Sequence, residues 1–490
     1  MSVTGDFIAQ CEQEQLHLSG AIQAHGALLV CDRKNRITHV SENIESWLGE
    51  SVNALLGSSL PAALTPLIFN LGEAPGSRLT RFHAPVENAR ASLIATRAAD
   101  RTVIVELIPS ESSEPKQHYP RVHRFAGFES AEELEQGRQQ LVSHIQRESG
   151  FARVMYYQFR QDNTGEVKAE AKGPEAGGSY LGLRFPASDI PQIARQLYIN
   201  TPWRSIPDAG AESVNILGLE QTPPDLSLAD LRSVSPVHQS YMANMGVGSS
   251  ISVPLVVAGK LKALISCHSA SPRRLTLPEL EALAGQVNSF ALSAKAFRTR
   301  QRMSLLSYLE NRFEQWHSAI ADAGNLSASW GELSEWLLAE FDAHGILLDT
   351  GHHPLKAGTV PDADTLAAVE QWAREAGDNS AVRISDHLAG SCPDLPLTEI
   401  AGALAVKVTA PDQSPISCFL FRAEEIYDVP WGGRPDKPAE NRNSPYPIAP
   451  RQSFERWVET RVGYSREWPD NTRVKLFKLR EFLALSLIHI

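Results

Sequence analysis

The chain has 490 residues, of which 42% are hydrophobic and 21% charged, so it resembles a globular protein of about three domains. Its formal net charge of −11 argues against a surface that binds nucleic acid or anionic membranes. No apolar run approaches the ~18 residues of a spanning helix and no signal segment opens the chain, which predicts a cytoplasmic protein.

The first predicted domain is a small α+β unit. Four of its strands are expected at residues 27–31, 37–40, 77–83 and 102–108. The first two should form a hairpin. Ser41 is expected to cap a short amphipathic helix over residues 41–48. Together these elements predict an antiparallel sheet with helices on one side.

A linker over residues 111–117 leads to a second, larger α+β domain. Its first helix is predicted over residues 130–149, and a loop rich in proline and glycine over residues 207–224. Its strands are predicted at residues 152–159, 166–171, 249–257 and 262–268.

The segment 185–191, FPASDIP, holds Asp189 between an aromatic residue and two prolines. Because proline fixes φ and restricts the residue before it, we expect a stiff bend followed by a helix. Such a bend would hold the carboxylate and carbonyl of Asp189 in one place. By itself the pattern is also typical of a rigid loop in which Asp189 is an exposed helix cap.

A long helix is predicted to begin after Thr276, which has capping-box spacing to Glu279. No proline lies between Glu279 and Ala323, so the helix would be roughly 65 Å long and would both connect domains and pair with another chain. A third α+β domain follows, with a long loop over residues 426–448. The last helix, from Thr472, has no cap and is expected to continue into a module beyond this chain.

Polar residues on apolar elements of the second domain indicate a binding site. Two arginines, Arg204 and Arg232, suit carboxylates. Ser250 and Ser252 alternate along a strand and so share a face, whereas His238 and Tyr241 share a helical face. Each of these residues alone is more often structural or exposed. The residues by themselves predict a pocket for an acidic ligand.

Motifs of other functions are missing from the sequence. The five cysteines are scattered and odd in number, which favours unpaired thiols in a reducing compartment. No His/Cys cluster has metal-ligand spacing, and there is no phosphate-binding glycine loop, GxSxG elbow or HExxH helix. We therefore expect a sensory protein without a metal site and without enzymatic activity of its own.

Five motifs in order resemble the photosensory module of bacteriophytochromes, the biliverdin-binding red/far-red photoreceptors. They are Cys11 with residues 17–26, the FPASDIP segment, residues 231–246, the pair Cys267 and His268, and residues 450–454 together with Trp431. The resemblance implies an α+β fold of three domains, with PAS at 1–117, GAF at 118–302 and PHY at 303–490. It also implies a helical spine that forms a parallel or antiparallel homodimer, a PHY "tongue" over residues 422–458, and an N-terminal figure-of-eight knot in which Ile22 is threaded through a lasso that includes residues 222–232.

The same resemblance implies the roles of the site residues. Cys11 would form a thioether with a vinyl group of biliverdin IXα, as the absence of a cysteine at Val237 also suggests. Arg204 and Arg232, with Ser250 and Ser252, would hold the propionates. The carbonyl of Asp189 and the ring of His238 would meet the pyrrole N–H groups, and His268 the D-ring carbonyl. The remaining predicted contacts are Tyr157, Phe185, Ile190, Ser235 and Tyr241, several of which would surround the D ring.

The resemblance also implies a switch. The Asp189 carboxylate would pair with Arg451 of the tongue, and light-driven D-ring isomerisation would exchange Arg451 for Ser453 as the tongue, with Trp431, refolds from hairpin to helix. A buried pair of this kind suits a latch, because removing one partner costs ~3–5 kcal/mol.

Two other functions are open at this point. One is a GAF-type sensory module for a dark ligand such as a cyclic nucleotide or a free tetrapyrrole, although a tongue would then have no purpose. The other is an enzyme, whose kinase or cyclase output would have to lie outside this chain.

Overall fold

The computed structural model describes residues 15–486 except 88, 111–124, 126, 352, 375–380, 393–394, 396–397, 410–414 and 436–452. The chain divides into two compact units, one of residues 1–297 with 430–458 and one of residues 298–429 with 459–490.

The helices and strands up to the long helix are as follows. The strands are β1 (Ala21–Gln23), β2 (Ala27–Cys31), β3 (Ile37–Ser41), β4 (Arg78–Val86), β5 (Ala89–Arg97), β6 (Val103–Pro109), β7 (Arg153–Phe159), β8 (Gly165–Lys172), β9 (Arg184–Phe185), β10 (Arg204–Ile206), β11 (Ser213–Gly218), β12 (Ser249–Val257) and β13 (Lys260–Ser269). The helices are α1 (Glu45–Leu48), α2 (Val52–Leu55), α3 (Thr65–Phe69), α4 (Ala131–Ser149), α5 (Gln192–Asn200), α6 (Pro236–Asn244) and α7 (Leu277–Ala323).

The later elements complete the fold. They are α8 (Leu326–Phe341), β14 (Gly345–Asp349), β15 (Leu355–Gly358), α9 (Ala363–Arg374), β16 (Val382–Ser385), α10 (Leu388–Ser391), β17 (Ile400–Thr409), β18 (Pro415–Ala423), β19 (Tyr427–Gly432), β20 (Arg456–Arg461) and α11 (Thr472–Ser486).

The first sheet has seven antiparallel strands in the order β1-β11-β3-β2-β6-β5-β4. Its outer strand β1 is enclosed, because Ile22 pairs with Val214 on one side and with Arg232 on the other. Ile22 is fully buried between them. These contacts agree with the predicted threading of the N-terminal segment through a lasso.

The second sheet has the strand order β10-β12-β13-β7-β8-β9-β19-β20. Helix α4 packs its apolar residues Leu141 and Ile145 into a core shared with Tyr156 of β7 and Phe290 of α7. The sheet passes into the predicted tongue through a parallel pairing of Trp431 with Arg184. Its antiparallel strands β10, β12 and β13 carry four of the predicted site residues: Arg204, Ser250, Ser252 and His268.

Helix α7 confirms the predicted long helix. The backbone N–H and the hydroxyl of Thr276 donate to Oε2 of Glu279 at 2.7 and 2.8 Å, which is the capping contact expected from the sequence. The helix then runs for 47 residues, or about 70 Å.

The second unit contains a five-stranded antiparallel sheet in the order β15-β14-β18-β17-β16. One cluster of buried residues joins Leu337 of α8 and Leu479 of α11 to Leu404 of the sheet. A second cluster places Trp372 of α9 against Phe419. With the two sheets of the first unit, this arrangement confirms the α+β fold.

Three local predictions were wrong. Ser41 does not cap a helix: it ends β3, its hydroxyl accepts from the N–H of Leu28 at 2.9 Å, and α1 begins only at Glu45. The predicted loop 207–224 contains β11, whose partners β1 and β3 are remote in sequence. The loop predicted from residue 426 begins with β19.

Candidate functional site

One cavity of about 550 Å³ lies in the first unit, within the range of small-molecule sites. It brings together every predicted cofactor-binding residue except Cys11, which lies outside the described residues. The twelve are Tyr157, Phe185, Asp189, Ile190, Arg204, Arg232, Ser235, His238, Tyr241, Ser250, Ser252 and His268. Tyr157 and His268 are 111 residues apart in sequence, and they come together because β7, β13, β12 and β10 are neighbours in one sheet.

The stiff bend before α5 has the expected form. Residues Ala187–Asp189 make one 3₁₀ turn, closed by a hydrogen bond from the Asp189 N–H to the Pro186 carbonyl at 3.1 Å. The N-cap residue of α5 is Pro191, which makes no side-chain capping hydrogen bond. The alternative prediction, in which Asp189 caps this helix, was therefore wrong. Instead, the Tyr241 hydroxyl donates to the Asp189 carboxylate at 3.0 Å.

Two guanidinium groups line the cavity. Arg204 lies on β10 opposite Ser252, and it donates to the carbonyls of Asp230 and Ser233 at 3.1 and 2.9 Å. Arg232 donates to the carbonyl of Leu226 at 3.3 Å. Burial, and then the charge of Arg232, lower the pKa of Arg204 to about 9. Among the described residues that line the cavity, Asp189 is the one carboxylate beside these two cations, which favours an anionic ligand.

Both cavity histidines are neutral at pH 7. Burial lowers the pKa of His238 to about 4 and that of His268 to about 3. Each ring therefore offers one donor and one acceptor nitrogen. His268 Nε2 lies 3.0 Å from the Ser266 hydroxyl, whereas its buried Nδ1 has no hydrogen-bond partner among the described residues. A polar group of a ligand would satisfy this nitrogen.

Aromatic side chains form another wall. The ring of Phe185 lies 5.9 Å from those of both Tyr157 and Tyr180. Phe454 of the predicted tongue meets Tyr241 edge to face at 5.0 Å. Such rings suit a large planar ligand, and Phe454 brings the tongue into contact with the wall.

The other predicted switch residues lie nearby or outside the described structure. Trp431 is 5% exposed in β19. The hydroxyl of Ser453 accepts from the N–H of Glu455 at 3.4 Å. Arg451 belongs to residues 436–452, which the structure does not describe.

Several cavity residues were not predicted. Five lie on one face of α5 and at its end, with spacings of one, three and four that a helical periodicity could have identified: Ile193, Ala194, Leu197, Tyr198 and Thr201. Ser266 alternates with His268 along β13 and could have been found from that period of two. Tyr180 gave no sequence signal.

Neither a candidate metal-ligand cluster nor a candidate membrane-spanning helix occurs among the described residues. Among them, no group of three or more His, Cys, Asp and Glu side chains could hold a metal ion. Within the same part of the chain, no helix has both the length and the apolar character needed to cross a membrane.

Models of three domain families match the chain in succession. A PAS fold matches residues 11–110, a GAF domain residues 133–293 and a phytochrome region residues 314–488. The matched GAF range contains all twelve described residues that were predicted to bind the cofactor.

Several relatives are similar to this chain over almost all of its residues. A bacteriophytochrome of Pseudomonas aeruginosa is 31% identical over 100% of this chain and 68% of its own length. One of Xanthomonas campestris pv. campestris is 32% identical over 94% of this chain and 75% of its own. Cyanobacterial phytochrome B of Nostoc sp. is 31% identical, and the chain spans only 65% of its length.

Two solved structures are similar over almost the whole chain. The photosensory core module of Stigmatella aurantiaca phytochrome has a TM-score of 0.80 at 28% identity, covering 98% of both chains. A bacteriophytochrome of R. palustris has a TM-score of 0.78 at 28% identity, covering 98% of this chain and 99% of its own.

Proposed function

Because the chain belongs to the phytochrome family, we propose that it is the photosensory part of a red/far-red photoreceptor that binds biliverdin in the cavity of its GAF domain. The supporting observation is that two arginines, two neutral histidines and an aromatic wall meet in one cavity. Domain limits of 1–117, 118–302 and 303–490 belong to the same proposal, and any kinase or cyclase output would lie outside them.

The lining fits the acidic, planar tetrapyrrole in three respects. Arg204 and Arg232, with the hydroxyls of Ser250 and Ser252, would bind its two carboxylates. When Nδ1 of His268 carries the ring proton, this nitrogen, which has no hydrogen-bond partner among the described residues, would donate to the D-ring carbonyl. The carbonyl of Asp189 and the neutral ring of His238 would accept from the pyrrole N–H groups.

Covalent attachment is assigned to Cys11. Gln15 lines the cavity, and Cys11 precedes it by four residues. Four residues span at most about 14 Å, so the thiol of Cys11 would be within reach of a ligand there. The thiol would add across a vinyl group, its sulfur bonding one carbon and its proton going to the other. This addition requires no oxidant.

When bound, a bilin supplies absorption of visible light and isomerisation of a double bond. The chain's own contribution is to couple the cavity wall to the tongue. Tyr241 touches both Asp189, through its hydroxyl, and Phe454, through its ring. A change at the D ring that moved Tyr241 would therefore act on both contacts. As the tongue refolds, the Asp189 carboxylate would exchange its partner Arg451 for Ser453.

Reconstitution tests this function. Apoprotein mixed with biliverdin should give a visible absorption band that changes reversibly under red and far-red light. The Cys11→Ser variant should keep non-covalent binding but lose the bilin on denaturation, because only the thioether survives unfolding. Cys392→Ser, which replaces a buried thiol of the second unit, is the matched control and should retain attachment.

A protein without a photochromic band would contradict the photoreceptor. Calorimetric binding of a cyclic nucleotide in darkness would then favour the alternative, a GAF-type module for a dark ligand. We also place the protein in the cytoplasm, since Cys31, Cys267 and Cys418 are buried thiols that form no disulfide among the described residues.

We further propose a homodimer, parallel or antiparallel, through the helical spine. Leu292 and Met303 of α7 are 68% and 63% exposed, and they lie about three helical turns apart on one face. Sedimentation at micromolar concentration should show a dimer that Leu292→Glu/Met303→Glu converts to a monomer. A wild-type monomer would exclude this dimer.

A further inference from the structure

The orientation of Arg204 depends on one short segment that precedes α6. The two terminal nitrogens of Arg204 donate to the carbonyls of Asp230 and Ser233. Among the described residues, no salt bridge joins this guanidinium to a carboxylate. The position of these two carbonyls therefore determines where the charge of Arg204 points.

The segment is in turn tethered from the first sheet. Arg78 of β4 donates to both carboxylate oxygens of Asp230, at 2.9 and 2.7 Å. The side chain of Asp230 is 6% exposed and that of Arg78 18% exposed, so the bidentate pair is shielded from water. Glu106 of β6 accepts from the next amide, that of Leu231, at 2.7 Å.

The charges of this cluster suit a ligand with two carboxylates. Arg78 neutralises Asp230, which leaves the charges of Arg204 and Arg232 for the ligand. Burial, and then the charge of Asp230, raise the pKa of Glu106 well above its usual range, which weakens its competition with the ligand for these two cations. The ring of Trp203 packs on Arg78, with the guanidinium carbon 5.0 Å from its centroid, and further fixes the tether.

We propose that Asp230, held by Arg78, is a positioning residue that makes the cavity selective for a ligand with free carboxylates. The proposal rests on the proposed biliverdin function. It differs from assigning Arg204 and Arg232 to the carboxylates, because Asp230 would act through the segment that orients them and would not touch the ligand.

The test compares biliverdin with its dimethyl ester, whose carboxylates are blocked. The variant Arg78→Gln/Asp230→Asn removes the tether without changing net charge. We expect its affinity for biliverdin to fall about tenfold, whereas its affinity for the ester should change less than twofold. The control Arg160→Gln/Glu166→Gln removes a paired arginine and glutamate that do not line the cavity, and it should leave both affinities unchanged.

Equal losses for both ligands would reduce the pair to a role in folding, and unchanged affinities would exclude the tether; either result overturns the proposal.

Hydrogen exchange of residues 226–234 in the apoprotein is independent of bilin. It should quicken in the tether variant and not in the control. If wild-type protein bound neither ligand, the proposed function would fail, and the exchange result would still support or overturn the tether.

Discussion

Replacing Glu170 by alanine is expected to lower the free energy of unfolding by about 3–5 kcal/mol. Glu170 and Arg153 form a pair whose side chains are 4% and 8% exposed, with Oε1 and Nη1 3.0 Å apart. Glu170 also accepts from the N–H of Tyr180 at 3.2 Å and from the hydroxyl of Ser179. Its loss would leave a buried guanidinium without its counter-charge and free the segment that places Tyr180 in the cavity.

Chemical denaturation of the apoprotein, followed by circular dichroism, measures this loss. The matched control is Arg153→Met/Glu170→Met, which removes both charges and keeps apolar volume, so it should recover much of the lost stability. A loss below 1 kcal/mol in Glu170→Ala would contradict the importance of the pair. An equally large loss in the double variant would assign the effect to other contacts of these side chains.

The second large effect is expected at Gly165, which begins β8 under the ring of Tyr157. A Cβ at this position would lie 1.8 Å from Cζ and 2.0 Å from the hydroxyl oxygen of Tyr157. Because the ring cannot stay there, Gly165→Ala should cost about 1–3 kcal/mol of stability and weaken biliverdin binding at least about tenfold. Denaturation and absorption titration measure the two effects.

Two further variants separate this clash from a general effect on β8. Gly165→Ala/Tyr157→Leu removes the ring, so it should be more stable than the sum of the single changes predicts. Gly165→Ala/Tyr157→Phe keeps the clashing ring carbons and should not be rescued. Gly177→Ala, where a Cβ would meet nothing within 4 Å, is the control. Additive effects in the leucine double variant would exclude the Tyr157 clash.

Much of the fold could be predicted because its signals are local. The capping pair of Thr276 and Glu279, with no proline between Glu279 and Ala323, predicted α7. Apolar runs predicted eight of the strands in the first two domains: β2, β3, β4, β6, β7, β8, β12 and β13. Local periodicity also predicted that Ser250 and Ser252 share one face of a strand. It predicted in the same way that His238 and Tyr241 share one face of a helix. The rings of the latter two lie parallel at 6.0 Å.

The sequence by itself determined which residues could form an acidic-ligand site, and the family resemblance placed them in one pocket. The tertiary structure alone decided how that pocket is supported. The tether of Arg78 to Asp230 spans 152 residues, and β11 pairs with β1 and β3 across similarly long separations. Contacts of this kind leave no periodic pattern, because their partners are selected by packing between remote segments and by the need to pair buried charges.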